Sequence, residues 1–157
     1  MKGKWKTYVL WIVLAEIVGV ASGLLSMDCI RAFEDTISQP PLSPPGFLFP
    51  IVWTLLYALM GIGAAMVSMT AASSTRSLGL NLFVAQLAMN FLWTPVFFCL
   101  QAFGFAFFWL LGLLGVVVWM TIEFRKTSTL AALLQIPYIL WLGFAAYLNF
   151  GVWMLSK

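Results

Sequence analysis

Apolar residues fall along this chain in long continuous runs, and those runs set its architecture before any single residue is considered. Five can be drawn: Tyr8 to Leu25, Phe47 to Met69, Leu80 to Leu100, Phe103 to Ile122 and Leu130 to Leu155. About 20 apolar residues carry a helix across the hydrocarbon core of a bilayer, and each run is near or above that length. The runs are continuous rather than alternating with period two, which separates them from the strands of a membrane barrel. The pattern predicts an all-α integral membrane protein, a five-transmembrane-helix bundle forming one domain over residues 1–157. Its connections are short except for an outer loop at 26–46, and a turn at Gln101–Ala102 makes a tight hairpin of the third and fourth spans.

Composition agrees with the pattern. Hydrophobic residues make up 63% and charged residues 8% of the chain, against about 25% charged in a soluble domain. That leaves too little polar surface to coat a water-soluble globule. The first run carries Glu16 and lacks a small-x-small cleavage site, so it reads as a span rather than a signal peptide. Lys2, Lys4, Lys6, Arg76, Arg125 and Lys126 fall on one side of the bundle and only Arg31 and Lys157 on the other. This bias predicts a cytoplasmic N-terminus and an outside C-terminus. The first loop, with Asp28, Glu34 and Asp35, then faces out.

The odd number of spans and the lack of self-similarity argue against a transporter built from two matched repeats. Gly19-x-x-x-Gly23 predicts close helix packing in the first span. Cys29 lies in the outer loop and Cys99 near the outer end of the third span, so pairing is geometrically conceivable. With no metal or redox spacing, two unrelated thiols are the expected state.

Candidate chemistry is narrow. There is no histidine, no metal-ligand spacing, no nucleophilic triad and no glycine-rich phosphate loop, which argues against hydrolytic or metal-dependent catalysis. No metal, cofactor or nucleic-acid partner is expected. What stands out is a set of polar and aromatic residues inside apolar helices. Trp53, Tyr57, Met60 and Gly61 share one face of the second span; Gln86, Asn90, Trp93 and Phe97 share one of the third; Tyr138, Trp141, Ala145 and Asn149 line the fifth. Amides in hydrocarbon need partners, so Gln86, Asn90 and Asn149 point inward. Three such faces meeting in one interior make a pocket for a flat, apolar ligand with a few polar handles. The alternative is plain helix packing, which interior amides also serve. Trp5, Trp11 and Trp153, near span ends, read as interfacial anchors. Glu16, the one acid within a span, reads as structural, since no acidic or histidine partner completes a relay.

Prolines shape the approach. Pro40, Pro41, Pro44 and Pro45 hold it extended, and Pro50 falls in the first turn of the second span, where its missing N–H costs little. Pro95 and Pro137 free the carbonyls of Phe91 and Leu133 and predict kinks. The long first loop reads as a lid over the outer end of the bundle, with its acids a solvated surface.

Three ordered blocks resemble the TspO/MBR family, the tryptophan-rich sensory proteins that include the mitochondrial translocator protein. They are Pro40-Pro41-Leu42-Ser43-Pro44-Pro45 with Pro50 to Gly61; Gln86 to Phe98; and Pro137 to Asn149. Spacing, span count and length match, so the resemblance covers nearly the whole chain. It implies a five-helix bundle, usually a homodimer, with a pocket under the first loop that takes porphyrins such as protoporphyrin IX and synthetic benzodiazepine-receptor ligands. It also implies residence in a bacterial cell membrane. Carried over by position, the pocket holds Trp53, Tyr57, Asn90, Trp93, Tyr138, Trp141, Ala145 and Asn149, and the lid holds Pro40, Pro41, Leu42, Pro44 and Pro45. Trp53 and Trp141 match the tryptophans associated with porphyrin chemistry.

The chain departs from the family at Leu42, where a loop tryptophan is usual, and at Phe33, where another often stands. Trp109 stands where many members have an acid. Phe150 and Met154 degrade the sterol-recognition stretch of animal members, which weighs against cholesterol binding. Three readings follow. The first is a receptor or regulator for tetrapyrroles. The others are a light- and oxygen-dependent porphyrin-degrading enzyme using Trp53 and Trp141, and a carrier of hydrophobic molecules.

Overall fold

A computed structural model describes residues 3–157. Lys2, counted above among the inward cations, lies outside the described residues. Helices α1 (Lys4–Leu25), α3 (Leu48–Ser68), α4 (Ser74–Phe98) and α5 (Phe103–Thr127) realise the first four runs. The fifth is shared between α6 (Thr129–Leu133) and α7 (Ile136–Leu155), and α2 (Met27–Thr36) lies between the first two runs. There is no strand among the described residues. Five helical stretches are long and apolar enough to cross a membrane.

The two prolines act differently from each other. Pro137 stands at the start of α7, where it opens a new helix after the break at Leu134–Gln135 instead of kinking a continuous one. Pro95 lies inside α4. The Phe91 carbonyl that it frees accepts a hydrogen bond from Ser22 Oγ of α1 at 2.8 Å, so a neighbouring helix supplies the donor that proline removed. At the opposite end of the bundle, Ser73 and Ser128 cap α4 and α6 by accepting from the backbone N–H of Arg76 and Ala131 at 3.0 and 3.2 Å. Helix α5 runs past Ile122, which puts a second acid, besides Glu16, inside a helix of membrane-spanning length. Glu123 is buried and pairs with Lys126 at 2.9 Å.

Small residues set the tightest seams. Gly61 sits beneath the Trp11–Ile12 backbone of α1, Gly19 beneath the Tyr57 ring, and Gly79 against Phe124. Gly23 faces open space, so of the Gly19-x-x-x-Gly23 pair only the first packs. The core between α3, α4 and α5 holds Met60, Phe83, Val117, Met120 and Phe124, all fully buried. Trp11, expected as an anchor, instead packs edge-on to Phe83 at 5.6 Å. Trp5 and Trp153 stay at the helix ends, with Lys6 and Lys157 over their rings.

The first loop corrects the sequence reading twice. Its first half is the ten-residue helix α2, whose Phe33 is buried against Phe97, Phe98 and Phe103 at centroid distances of 5.3, 5.0 and 6.2 Å. And Cys29 is not a lone thiol. It forms a disulfide with Cys99, Cα to Cα 5.1 Å, across 70 residues of sequence. The pairing was not legible because it depends on α2 folding and docking through Phe33, which carries Cys29 to the C-terminal end of α4. Closing a loop of that length restrains the unfolded chain by about 4 kcal/mol on a chain-entropy estimate. The second half, 37–47, is irregular, as its prolines require. It contains a turn in which Ser43 Oγ donates to the Pro40 carbonyl at 2.7 Å and Leu42 takes φ 69°.

Candidate functional site

Helix α7 rests on α5 but makes few backbone approaches to α3 and none of note to α4. The space between those elements is filled by large side chains. Trp53 stands at its centre, 5.5 Å from Tyr57, 6.1 Å from Tyr138 and 6.5 Å from Trp141, the last edge-to-face at 89°. Phe49, in the first turn of α3, meets Trp141 from the other side at 5.9 Å. Helical spacing explains the grouping. Trp53 and Tyr57 are one turn apart on α3, and Tyr138 and Trp141 one turn apart on α7.

Beneath the rings lies a polar floor. Asn90 Nδ2 donates to the Tyr138 hydroxyl at 2.8 Å, and that hydroxyl donates to Gln86 Oε1 at 2.8 Å. Gln86 Nε2 reaches Met60 Sδ at 3.7 Å. All four residues are buried, and a connected network in low dielectric holds its members in one arrangement. A second polar pair lies toward the α2 end. Trp93 Nε1 donates to Asn149 Oδ1 at 3.3 Å, and Asn149 Nδ2 donates to the Phe103 carbonyl at 2.9 Å. Trp93 stacks on Phe97 at 4.9 Å, which joins this pair to the Phe33 cluster.

Seven of the eight residues expected to line a pocket fall into two connected groups. Trp53, Tyr57, Asn90, Tyr138 and Trp141 form one; Trp93 and Asn149 form the other. Ala145, half-buried, lies on α7 one turn from both Trp141 and Asn149. Gly61 turns away to α1 instead of sharing this face. Sequence reasoning turned Gln86 inward without counting it among the pocket residues, and left out Phe49 and Tyr147. Gln86 was visible on its stripe, whereas Phe49 precedes the stripe by a turn and Tyr147 carries no local signal.

The segment 37–47 is tied down at named points. The Tyr147 hydroxyl donates to the Pro41 carbonyl at 2.8 Å. Pro40 seats against Gly151, where a side chain would collide with its ring, and Gly46 lies under the Glu34 carboxylate. Pro40 is buried and Pro44 half-buried, while Pro41, Leu42 and Pro45 face outward. The rings of Trp53, Tyr57, Tyr138 and Trp141 meet one another. A separate cleft of about 450 Å³ opens between Thr36, Ile37, Gln101, Phe103 and Leu155, with no tryptophan in its lining.

The indole N–H groups divide the tryptophans. Trp93 and Trp109 commit theirs, Trp109 to the Met89 carbonyl of the neighbouring helix at 2.9 Å. Trp53 and Trp141, both half-buried, make no indole hydrogen bond among the described residues, and neither do Trp5, Trp11, Trp119 and Trp153. No cluster of acids, cysteines and histidines able to hold a metal occurs among the described residues either. The arrangement suits stacking and hydrogen bonding rather than hydrolysis.

Residues 11–154 match the sequence model of the TspO/MBR family. The chain is 35% identical to Protein CrtK of Rhodobacter capsulatus over 151 residues, 95% of this chain and 92% of that protein. It is 34% identical to the tryptophan-rich protein TspO of Chlorobaculum tepidum over 157 residues, 96% of each. With the translocator protein of Ovis aries it shares 35% identity over 143 residues, 87% of this chain and 85% of that one.

Proposed function

The chain belongs to the TspO/MBR family and is an integral membrane protein, and from that premise we propose that it is a membrane receptor or regulator of tetrapyrroles. The ligand, a porphyrin of the protoporphyrin IX class or another flat hydrophobic molecule, lies between α3, α4 and α7 under the segment 37–47. Trp53, Tyr57, Tyr138 and Trp141 supply ring faces, Asn90, Trp93 and Asn149 the polar surround, and Ala145 a small wall residue. The observation that carries this reading is the meeting of Trp53, Tyr57, Tyr138 and Trp141 beside the buried Asn90–Tyr138–Gln86 network, ring faces next to fixed polar groups, as a flat ligand with few polar handles requires.

Energetics favour opening. Edge-to-face ring contacts contribute about 0.5–1.5 kcal/mol beyond burial, whereas stacking a flat heterocycle on an aromatic face contributes about 1–3 kcal/mol. A porphyrin that parts Trp53 from Trp141 exchanges the weaker contact for stronger ones on both rings. The buried network of Asn90, Tyr138 and Gln86 need not change.

The same reading places the N-terminus in the cytoplasm and α2 outside, in a bacterial cell membrane. Lys4, Lys6, Arg76, Arg125 and Lys126 sit at the end opposite α2. The Cys29–Cys99 disulfide supports this, because disulfides persist on the oxidising side of a membrane. A second reading is favoured by the 6.5 Å approach of Trp53 to Trp141: an oxidative breakdown of the bound porphyrin, with dioxygen as oxidant under light.

Protoporphyrin IX titrated into the purified protein tests the first reading. Saturable quenching of tryptophan fluorescence is expected, with weaker binding in Trp53→Phe and Trp141→Phe; linear, non-saturating quenching in all three would sink it. Illumination of the complex in air separates the second: new porphyrin products formed by the native protein and lost in Trp141→Phe would favour an enzyme.

A further inference from the structure

We propose that the Cys29–Cys99 disulfide is a redox latch, holding the cover of the aromatic site in place when oxidised and releasing it when reduced; this rests on the reading of that site given above. The bridge joins Cys29, in the first turn of α2, to Cys99, which ends α4 at the turn into α5. The 70 residues it spans include α3 and α4, which the bilayer and their own packing hold in place without it. What the bridge secures, with the docking of Phe33, is α2.

Helix α2 has little else to hold it. At ten residues it is too short to be stable by itself. No side chain caps its N-terminus, and Phe33 is its one buried residue. Its Asp28, Arg31, Glu34 and Asp35 are exposed and make no ion pair or side-chain hydrogen bond among the described residues. Beyond α2 the chain passes to α7 through Pro40 on Gly151 and Pro41 on Tyr147. It then returns to α2 where Glu34 covers Gly46, two residues before α3 begins. Phe49 follows directly and meets Trp141. A displacement of α2 is thus passed to the ring that faces Trp141. The bridge is reachable, since Cys99 is exposed and Cys29 half-exposed.

The chemistry is a two-electron thiol–disulfide exchange. A low-molecular-weight thiolate attacks one sulfur, forms a mixed disulfide and expels the other cysteine as a thiolate, which takes up a proton. A second thiol resolves the mixed disulfide. The products are two cysteine thiols and one oxidised disulfide of the reductant.

The test uses the full-length, ligand-free protein in nanodiscs, with and without dithiothreitol. Two readouts are taken: amide hydrogen exchange in α2, and acrylamide quenching of Trp141, read as the difference between native protein and Trp141→Phe. Reduction is expected to speed α2 exchange at least tenfold and to raise Trp141 quenching about twofold. The Cys29→Ser/Cys99→Ser double variant should match the reduced state and ignore the reductant. Unchanged α2 exchange, or faster α2 exchange with Trp141 quenching unchanged, would overturn the latch. Porphyrin is absent from both readouts, so a protein that passes them yet binds no protoporphyrin IX keeps the latch and loses only the tetrapyrrole reading.

Discussion

Two helix seams of this bundle are built on opposite plans. Between α1 and α3 the contact is made by glycines, with Gly61 under the Ile12 backbone and Gly19 under the Tyr57 ring. Between α7 and its neighbours α3 and α4 it is made by Trp53, Tyr57, Tyr138, Trp141 and the amides below them. A glycine seam brings backbones together and cannot part without losing the packing of whole helices. A seam of large rings holds backbones apart, so rings can move aside while the helices stay in place. The first plan gives the bundle its frame, and the second makes the interior in which the proposed ligand would lie.

The largest effect should come from spoiling the frame. A Cβ at Gly61 would stand 2.6 Å from Ile12 Cα, so Gly61→Val should cost about 3 kcal/mol or more. Gly143, with nothing in reach of a Cβ, should accept Ala within about 0.5 kcal/mol. Thermal unfolding in detergent reads both, and equal melting temperatures would dissolve the contrast between the seams. Next in size, Tyr138→Phe strips the shared hydroxyl from Asn90 and Gln86 and leaves buried groups unpaired, at a cost of about 1–3 kcal/mol. Adding Gln86→Leu should restore part of that loss in the same assay. An undiminished melting temperature in Tyr138→Phe would mean that the floor beneath the rings is not held by its hydrogen bonds.

How far the sequence carried each seam follows from the kind of signal each leaves. The five spans were legible because apolar length is a local property. The stripes of Trp53 and Tyr57 and of Tyr138 and Trp141 were legible because helical period is one too. The split of the expected site residues into two groups was not, since it depends on how α7 is rotated against α4. Glu123 was missed because α5 continues beyond its apolar run. Pro137 was read as a kink although it starts α7, because the break at Gln135 is set by packing on Gly63 of α3. The disulfide and α2 were illegible together. A short polar helix has no pattern strong enough to stand alone, and the bridge needs that helix docked.

Smaller effects should come from the cover. Replacing Pro44 and Pro45 with Gly loosens the closed segment by about 0.4–1 kcal/mol per site. Protoporphyrin dissociation should therefore rise about fivefold or more, with association less affected. Stopped-flow fluorescence decides this, and an unchanged dissociation rate would show that the segment does not cover the rings. Leu42→Gly should give the smallest change, in the opposite direction. Leu42 holds φ 69° with its side chain 82% exposed. Relief of about 1 kcal/mol of left-handed strain is partly offset by glycine's greater freedom when unfolded. Dissociation should slow by less than about threefold, and faster release would show that the Leu42 side chain itself holds the cover down.

The claim that the ring-built seam is the ligand site is tested most directly by comparing protoporphyrin IX affinity in Trp141→Ala and Trp5→Ala. Trp141 faces Trp53 and Phe49 inside the seam, whereas Trp5 is 59% exposed at the far end of α1. With both variants folded, Trp141→Ala should weaken binding by about 1–3 kcal/mol and Trp5→Ala should leave it unchanged. Equal losses in the two, or none in Trp141→Ala, would contradict the account.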